Sequence, residues 1–194
     1  MNVKNSCAIL LVVGVASCAT VEMPSNVSIT QGDSKQTYIN TIDFSYQTNK
    51  EISFNKLKLC VAEKVSNRAV QLDDASGFRG PVTGNFYAAS HRQTVQGGDI
   101  FKYADATLST LIANGTADGG SVALTRSIVK YDLKASVTAS QVILVFTNIS
   151  RAQKSTGYVA NDGFGPVGTW SGAYPMQTYA ALDIIAKDIK SCLQ

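Results

Sequence analysis

The sequence predicts an α+β two-layer domain: a mainly antiparallel sheet with two helices, about residues 52–66 and 176–192, on one face. Three observations carry this. Two segments place apolar residues at helical spacing. The chain between them is rich in β-branched and aromatic residues punctuated by turn formers. The elements follow in the order strand, helix, strands, helix, which a two-layer α+β arrangement satisfies.

The first strand-like stretches are Asn26–Thr30 and Tyr38–Tyr46, the second holding Ile39, Ile42, Phe44 and Tyr46. Ser53 is placed to cap the first helix. There Leu57, Cys60, Val61 and Val65 form one apolar stripe, and the helix should end near Asn67. Arg68 to Gly98 is rich in glycine and turn residues and reads as loops with short strands. Leu108–Ala117, Ile128–Val137 and Gln141–Asn148 read as strands. Asp118-Gly119-Gly120 reads as the hairpin turn joining the first two, and Thr138–Ser140 as the turn joining the last two. Arg151 to Pro175 reads as a long loop. The second helix follows, with Ala181, Ile184, Ile185, Ala186 and Ile189 as its apolar stripe.

Composition bounds the function. The chain has 194 residues, 45% hydrophobic and 16% charged, which is ordinary for a folded domain and unlike a disordered one. The formal charge of +3 falls to +2 if Lys4 is removed, and no basic run exists, so nucleic acid is not expected as a partner. No alternating set of lipid-facing strands argues for a membrane pore.

The first residues have the layout of an export signal. Lys4 supplies the positive start, Cys7–Val15 is an apolar run of nine residues, and small residues follow. The run is too short to span the hydrocarbon core, which takes about 20 residues. The tetrapeptide Val15-Ala16-Ser17-Cys18 resembles the lipobox of bacterial lipoproteins, with Val15 where Leu is commoner. The competing readings are an ordinary signal cut elsewhere, for example after Ala19, and a buried hydrophobic helix; the resemblance implies a cleaved signal of residues 1–17 and a diacylglycerol on the Cys18 thiol. It also implies acylation of the new N-terminus, with palmitate among the chains. The domain would then be held to the bacterial envelope by its lipid, through a short tether (residues 18–25) followed by one periplasmic domain (residues 26–194). Ala19, which is not Asp, implies the outer membrane.

An oxidising compartment gives the remaining cysteines a meaning. With Cys7 lost and Cys18 acylated, Cys60 and Cys192 form an even pair and are expected to be joined; the competing reading is two buried free thiols. No metal and no cofactor are expected. His91 is the only histidine, and no CxxC exists.

Several motifs match catalytic patterns in letters only. Gly163-Phe164-Gly165-Pro166-Val167-Gly168 fits GxGxxG, but a dinucleotide site needs the glycines directly after a strand and opening a helix. Ser53-Phe54-Asn55-Lys56 fits SxxK without its companion motifs, and Ser53 is better read as a cap. Asp73, Asp74 and His91 are the residues an envelope hydrolase acting on wall or glycan would use; acids in a turn and a histidine in a polar stretch otherwise face water. The sequons at Asn26, Asn114 and Asn148 read as accidents.

The loop holding Tyr158, Phe164, Trp170 and Tyr174 among glycines is the candidate binding surface, for sugar stacking or protein docking. The alternative is that Phe164 and Trp170 tuck down over the sheet end. The functional expectation is therefore a non-enzymatic, lipid-anchored envelope lipoprotein acting as a binding or assembly accessory, with an envelope protein partner. A hydrolase and a surface-exposed ligand- or host-binding lipoprotein are the alternatives.

Overall fold

A computed structural model describes residues 20–122 and 125–194, so residues 1–19, including Cys18, lie outside the described residues. The domain is an antiparallel sheet with two helices on one face, as the sequence predicts. The main sheet runs β1 (Val27–Gln31), β2 (Thr37–Gln47), β10 (Gln141–Gln153), β9 (Thr125–Val137), β8 (Thr110–Val122) and β7 (Phe101–Asp105), and β11 (Gly165–Pro166) adds to β10. Two two-stranded ladders lie outside it, β3 (Val70–Asp74) with β6 (His91–Val95) and, nested between them in the same register, β4 (Gly77–Arg79) with β5 (Phe86–Ala88). The helices are α1 (Phe54–Lys64) and α2 (Pro175–Leu193).

Local chemistry explains the boundaries. Ser53 is the N-cap of α1, its Oγ accepting from Lys56 N at 3.2 Å. Helix α1 stops at Lys64, three residues short of Asn67, because Val65 turns to extended backbone; Val65 is nonetheless buried with the predicted stripe. On α2 the buried stripe is Thr178, Ala181, Leu182, Ile185, Ala186 and Ile189. Ile184 does not belong to it. It is 58% exposed, because position 184 falls on the outer face with Met176 and Ala180.

The core fills the space between the helices and one sheet face. Alternation puts Val129, Tyr131, Leu133, Ala135 and Val137 of β9 inward, beside Val142, Leu144 and Phe146 of β10. Gly115 lets Tyr131 fit, since a Cβ there would lie 2.6 Å from its hydroxyl and 2.8 Å from Val65. The other sheet face is covered at one end, where Val70 and Leu72 of β3 pack with Ala152, Ile128 and Phe164.

Asp118-Gly119-Gly120 is not the hairpin turn. β8 runs through it to Val122, and the register shifts between Asp118 and Ser121. The Asp118 carboxylate accepts from Gly120 N at 2.9 Å, and Gly120 has φ +81°, so the local chemistry that makes a turn makes a bulge here. The β9–β10 connection falls at Thr138–Ser140 as predicted, with Thr138 N donating to Gln141 O. Strand β7 lay outside the predicted strands.

The segment read as a tether is docked from Thr20 onward. Thr20 forms an antiparallel bridge with Trp170, Val21 N donates to Thr169 O at 2.8 Å, and Met23 packs on the core. Backbone pairing at Thr20 and Val21 and the packing of the Met23 side chain hold it there.

Candidate functional site

The long loop places its four aromatics in three different environments. Trp170 and Tyr174 share one recess of about 190 Å³ with Arg151, Gly168 and Gly172. Trp170 is half-buried and meets Tyr38 edge-on at 5.7 Å. Its ring lies on Gly168, where a Cβ would come within 2.1 Å, so this glycine of the GxGxxG string makes room for an indole. Phe164 leaves the loop surface for the small core under β3. Tyr158 is 77% exposed and stands edge-on to Phe86 of β5 at 6.3 Å. The structure thus brings together Trp170 and Tyr174 and separates Phe164 and Tyr158 from them.

Arg151 is the organiser of this recess, and sequence reasoning missed it. Its Nη1 donates to Ala173 O at 3.2 Å and Tyr174 O at 3.1 Å. Its Nη2 donates to Gln177 Oε1 at 2.8 Å and Ser127 Oγ at 2.9 Å, with Gly119 O at 3.5 Å. The guanidinium also lies 5.2 Å from the Tyr174 ring centroid. Among the described residues no carboxylate pairs with it, and burial pulls its pKa below the ordinary value. Tyr174 itself sits in the left-handed region, φ 54° and ψ 48°, which costs a bulky residue about 1 to 3 kcal/mol. The two Nη1 bonds hold that conformation at the entry to α2. Arg151→Met is expected to destabilise by about 2 to 3 kcal/mol, because several charge-assisted bonds go at once. Hydrogen exchange should quicken at Trp170–Gln177 first. Unchanged exchange there would contradict the role.

The three residues considered for hydrolysis do come together, with Ser76. Asp74 Oδ1 accepts from Ser76 Oγ at 2.6 Å and Ser76 N at 3.0 Å, and it lies 3.2 Å from His91 Nδ1. Asp74 Oδ2 accepts from Asn161 N at 3.0 Å. Asp73 Oδ1 is buried without a hydrogen-bond partner. A proton relay needs serine and carboxylate on opposite ring nitrogens. Here both contact Nδ1, and the Ser76 proton is committed to Asp74. His91 is 66% exposed, and the surrounding recess is open to solvent. These are the bonds of a turn that ties β3 to the long loop.

Hydrogen bonds from Ser76 Oγ, Asn161 N and Ser76 N hold the Asp74 carboxyl well below the usual carboxylate range. Its native pKa is therefore lower than its unfolded one of about 3.9. The stability it adds is present above that value and is lost as pH falls through the native value. Melting followed from about pH 5 down to about pH 2 should show a steeper fall for the wild type than for Asp74→Asn. Parallel curves would contradict it.

The predicted pair Cys60 and Cys192 is a disulfide, joining α1 to α2 with Cα atoms 5.7 Å apart. A second recess of about 200 Å³, lined by Tyr46, Ile52, Val142, Lys190 and Leu193, lies at the other end of α2. It is smaller than the roughly 300 to 1,000 Å³ typical of small-molecule sites. Among the described residues no group of acidic, histidine and cysteine side chains could hold a metal ion. Among the described residues no helix is long and apolar enough to cross a membrane. Comparison with family models, with characterised proteins and with solved structures finds no match to this chain.

Proposed function

We propose that this protein is a lipid-anchored lipoprotein of the bacterial envelope, acting there as a non-enzymatic binding or assembly accessory. The observation that carries the reading is Cys18, at the end of an export signal and two residues before the chain docks on the domain at Thr20. Acylated at Cys18, the domain would be held close to the bilayer, with several acyl chains giving stable attachment. A disulfide between the two helices suits the oxidising envelope. The non-enzymatic part rests on the Asp74–Ser76–His91 group, whose hydrogen bonds are spent on a turn.

The test is fractionation of cells expressing the full chain or Cys18→Ala, with crosslinking in the intact envelope. The wild type should stay with membranes through a high-salt wash, and the variant should be released. One envelope protein should crosslink to the wild type and fall away in Cys18→Ala. A variant that remains on the membrane would overturn the anchor. Turnover of a glycan or wall fragment, abolished by His91→Ala, would overturn the accessory role.

A further inference from the structure

The anchor, if it is at Cys18, fixes more than the compartment, because the structure ties the following residues to one end of the sheet. From Cys18 to Thr20 the backbone reaches at most about 7 Å. Thr20 is bridged to Trp170, and Val21 N is bonded to Thr169 O. We propose that the end of the domain bearing Trp170 and Tyr174 lies against the lipid headgroup layer. This rests on the lipoprotein reading above.

The side chains at that end suit an interface between water and lipid. Trp170 and Tyr174 have apolar bodies and polar tips, the kind of side chain enriched at headgroup level. Met176 is exposed one residue into α2. Other apolar groups project past the same end. β10 runs toward Gln153, and Asp73 of β3 pairs with Ser155 in parallel, so β3 points the same way. The β4–β5 hairpin follows β3 and carries Val82, 95% exposed, at its tip, with Phe86 beside it. Tyr158 meets Phe86, and Val159 is 70% exposed. In water these groups are a cost; at a bilayer surface they are favourable. Charges of both signs lie at this end and offset one another: Arg126, Arg151 and Lys154 stand there with Asp73, Asp74 and Asp118. The contact is therefore apolar, and it should not depend on anionic lipid.

Trp170 is the only tryptophan of the chain, so its fluorescence reports on this end alone. The lipidated full-length product would be reconstituted into phosphatidylethanolamine vesicles, with and without lipid brominated near the headgroup end of its chains. Trp170 emission should move to shorter wavelength on reconstitution and be quenched by the brominated lipid. Added phosphatidylglycerol should change neither effect. A reporter at the opposite end comes from Trp170→Phe with Leu108→Trp, since Leu108 is exposed in the turn before β8. That reporter should stay unquenched. Co-flotation and the mass of the N-terminal peptide are read on the same samples. If the lipidated protein floats with vesicles but Trp170 is unquenched, or both reporters are quenched alike, the orientation is overturned and the anchor stands. If Cys18 carries no lipid and the protein does not float, both fall together.

Discussion

Replacing Cys60 and Cys192 together by alanine is expected to lower the unfolding free energy by about 4 to 5 kcal/mol. The bond spans 132 positions of sequence. Opening so long a loop releases much conformational entropy to the unfolded chain, and the logarithmic dependence on loop length puts the effect near the top of its range. Location adds to it. Cys60 is fully buried in the main core, and the bond links the helices at the side where Glu63 approaches Cys192. For a domain of this size the melting temperature should fall by roughly 8 to 20 °C, at about 2 to 4 °C per kcal/mol. Denaturant unfolding of the oxidised and double-variant proteins checks this. A loss below about 1 kcal/mol would mean that helix packing alone holds α1 and α2.

Phe146→Ala is expected to cost about 3 to 5 kcal/mol, since it empties the middle of an aromatic trio. Phe146 is fully buried and meets Phe44 edge-on at 5.9 Å and Tyr131 at 5.2 Å. Both neighbours are fixed by strands β2 and β9, so the site cannot collapse cheaply. Tyr131→Phe is the contrasting change. The Tyr131 hydroxyl is buried without a hydrogen-bond partner, and burial pushes its phenol far above the ordinary pKa. Removing that oxygen should leave stability unchanged or raise it by about 1 kcal/mol. A large loss in Tyr131→Phe would show that the hydroxyl is satisfied in solution. A loss below about 1.5 kcal/mol in Phe146→Ala would show that the core repacks around the gap.

What the sequence made legible follows from the range of the interactions involved. Ser53 as a cap, the α1 stripe and the Thr138–Ser140 turn are local, and spacing alone shows them. The Asp118-Gly119-Gly120 segment misled, because the same positive-φ glycine serves a turn or a bulge, and the strands around it decide which. Ile184 misled because one helical position separates the buried stripe from the outer face. The recess was half legible. Trp170 and Tyr174 stand out in a glycine-rich loop, but Arg151 reads as an ordinary charge at the end of a strand. Its partners Gly119, Ser127 and Gln177 lie 24 to 32 positions away, and no spacing rule brings them together. The approach of Asp74 to His91 was equally hidden, since it depends on the pairing of β3 with β6.

The proposed lipid on Cys18 is tested most directly by the intact mass of the mature protein. Protein extracted from membranes with detergent should begin at Cys18, lack residues 1–17, and exceed the mass of its polypeptide by a diacylglycerol and an acyl chain. An unmodified protein, or one whose N-terminus lies at any residue other than Cys18, would contradict it.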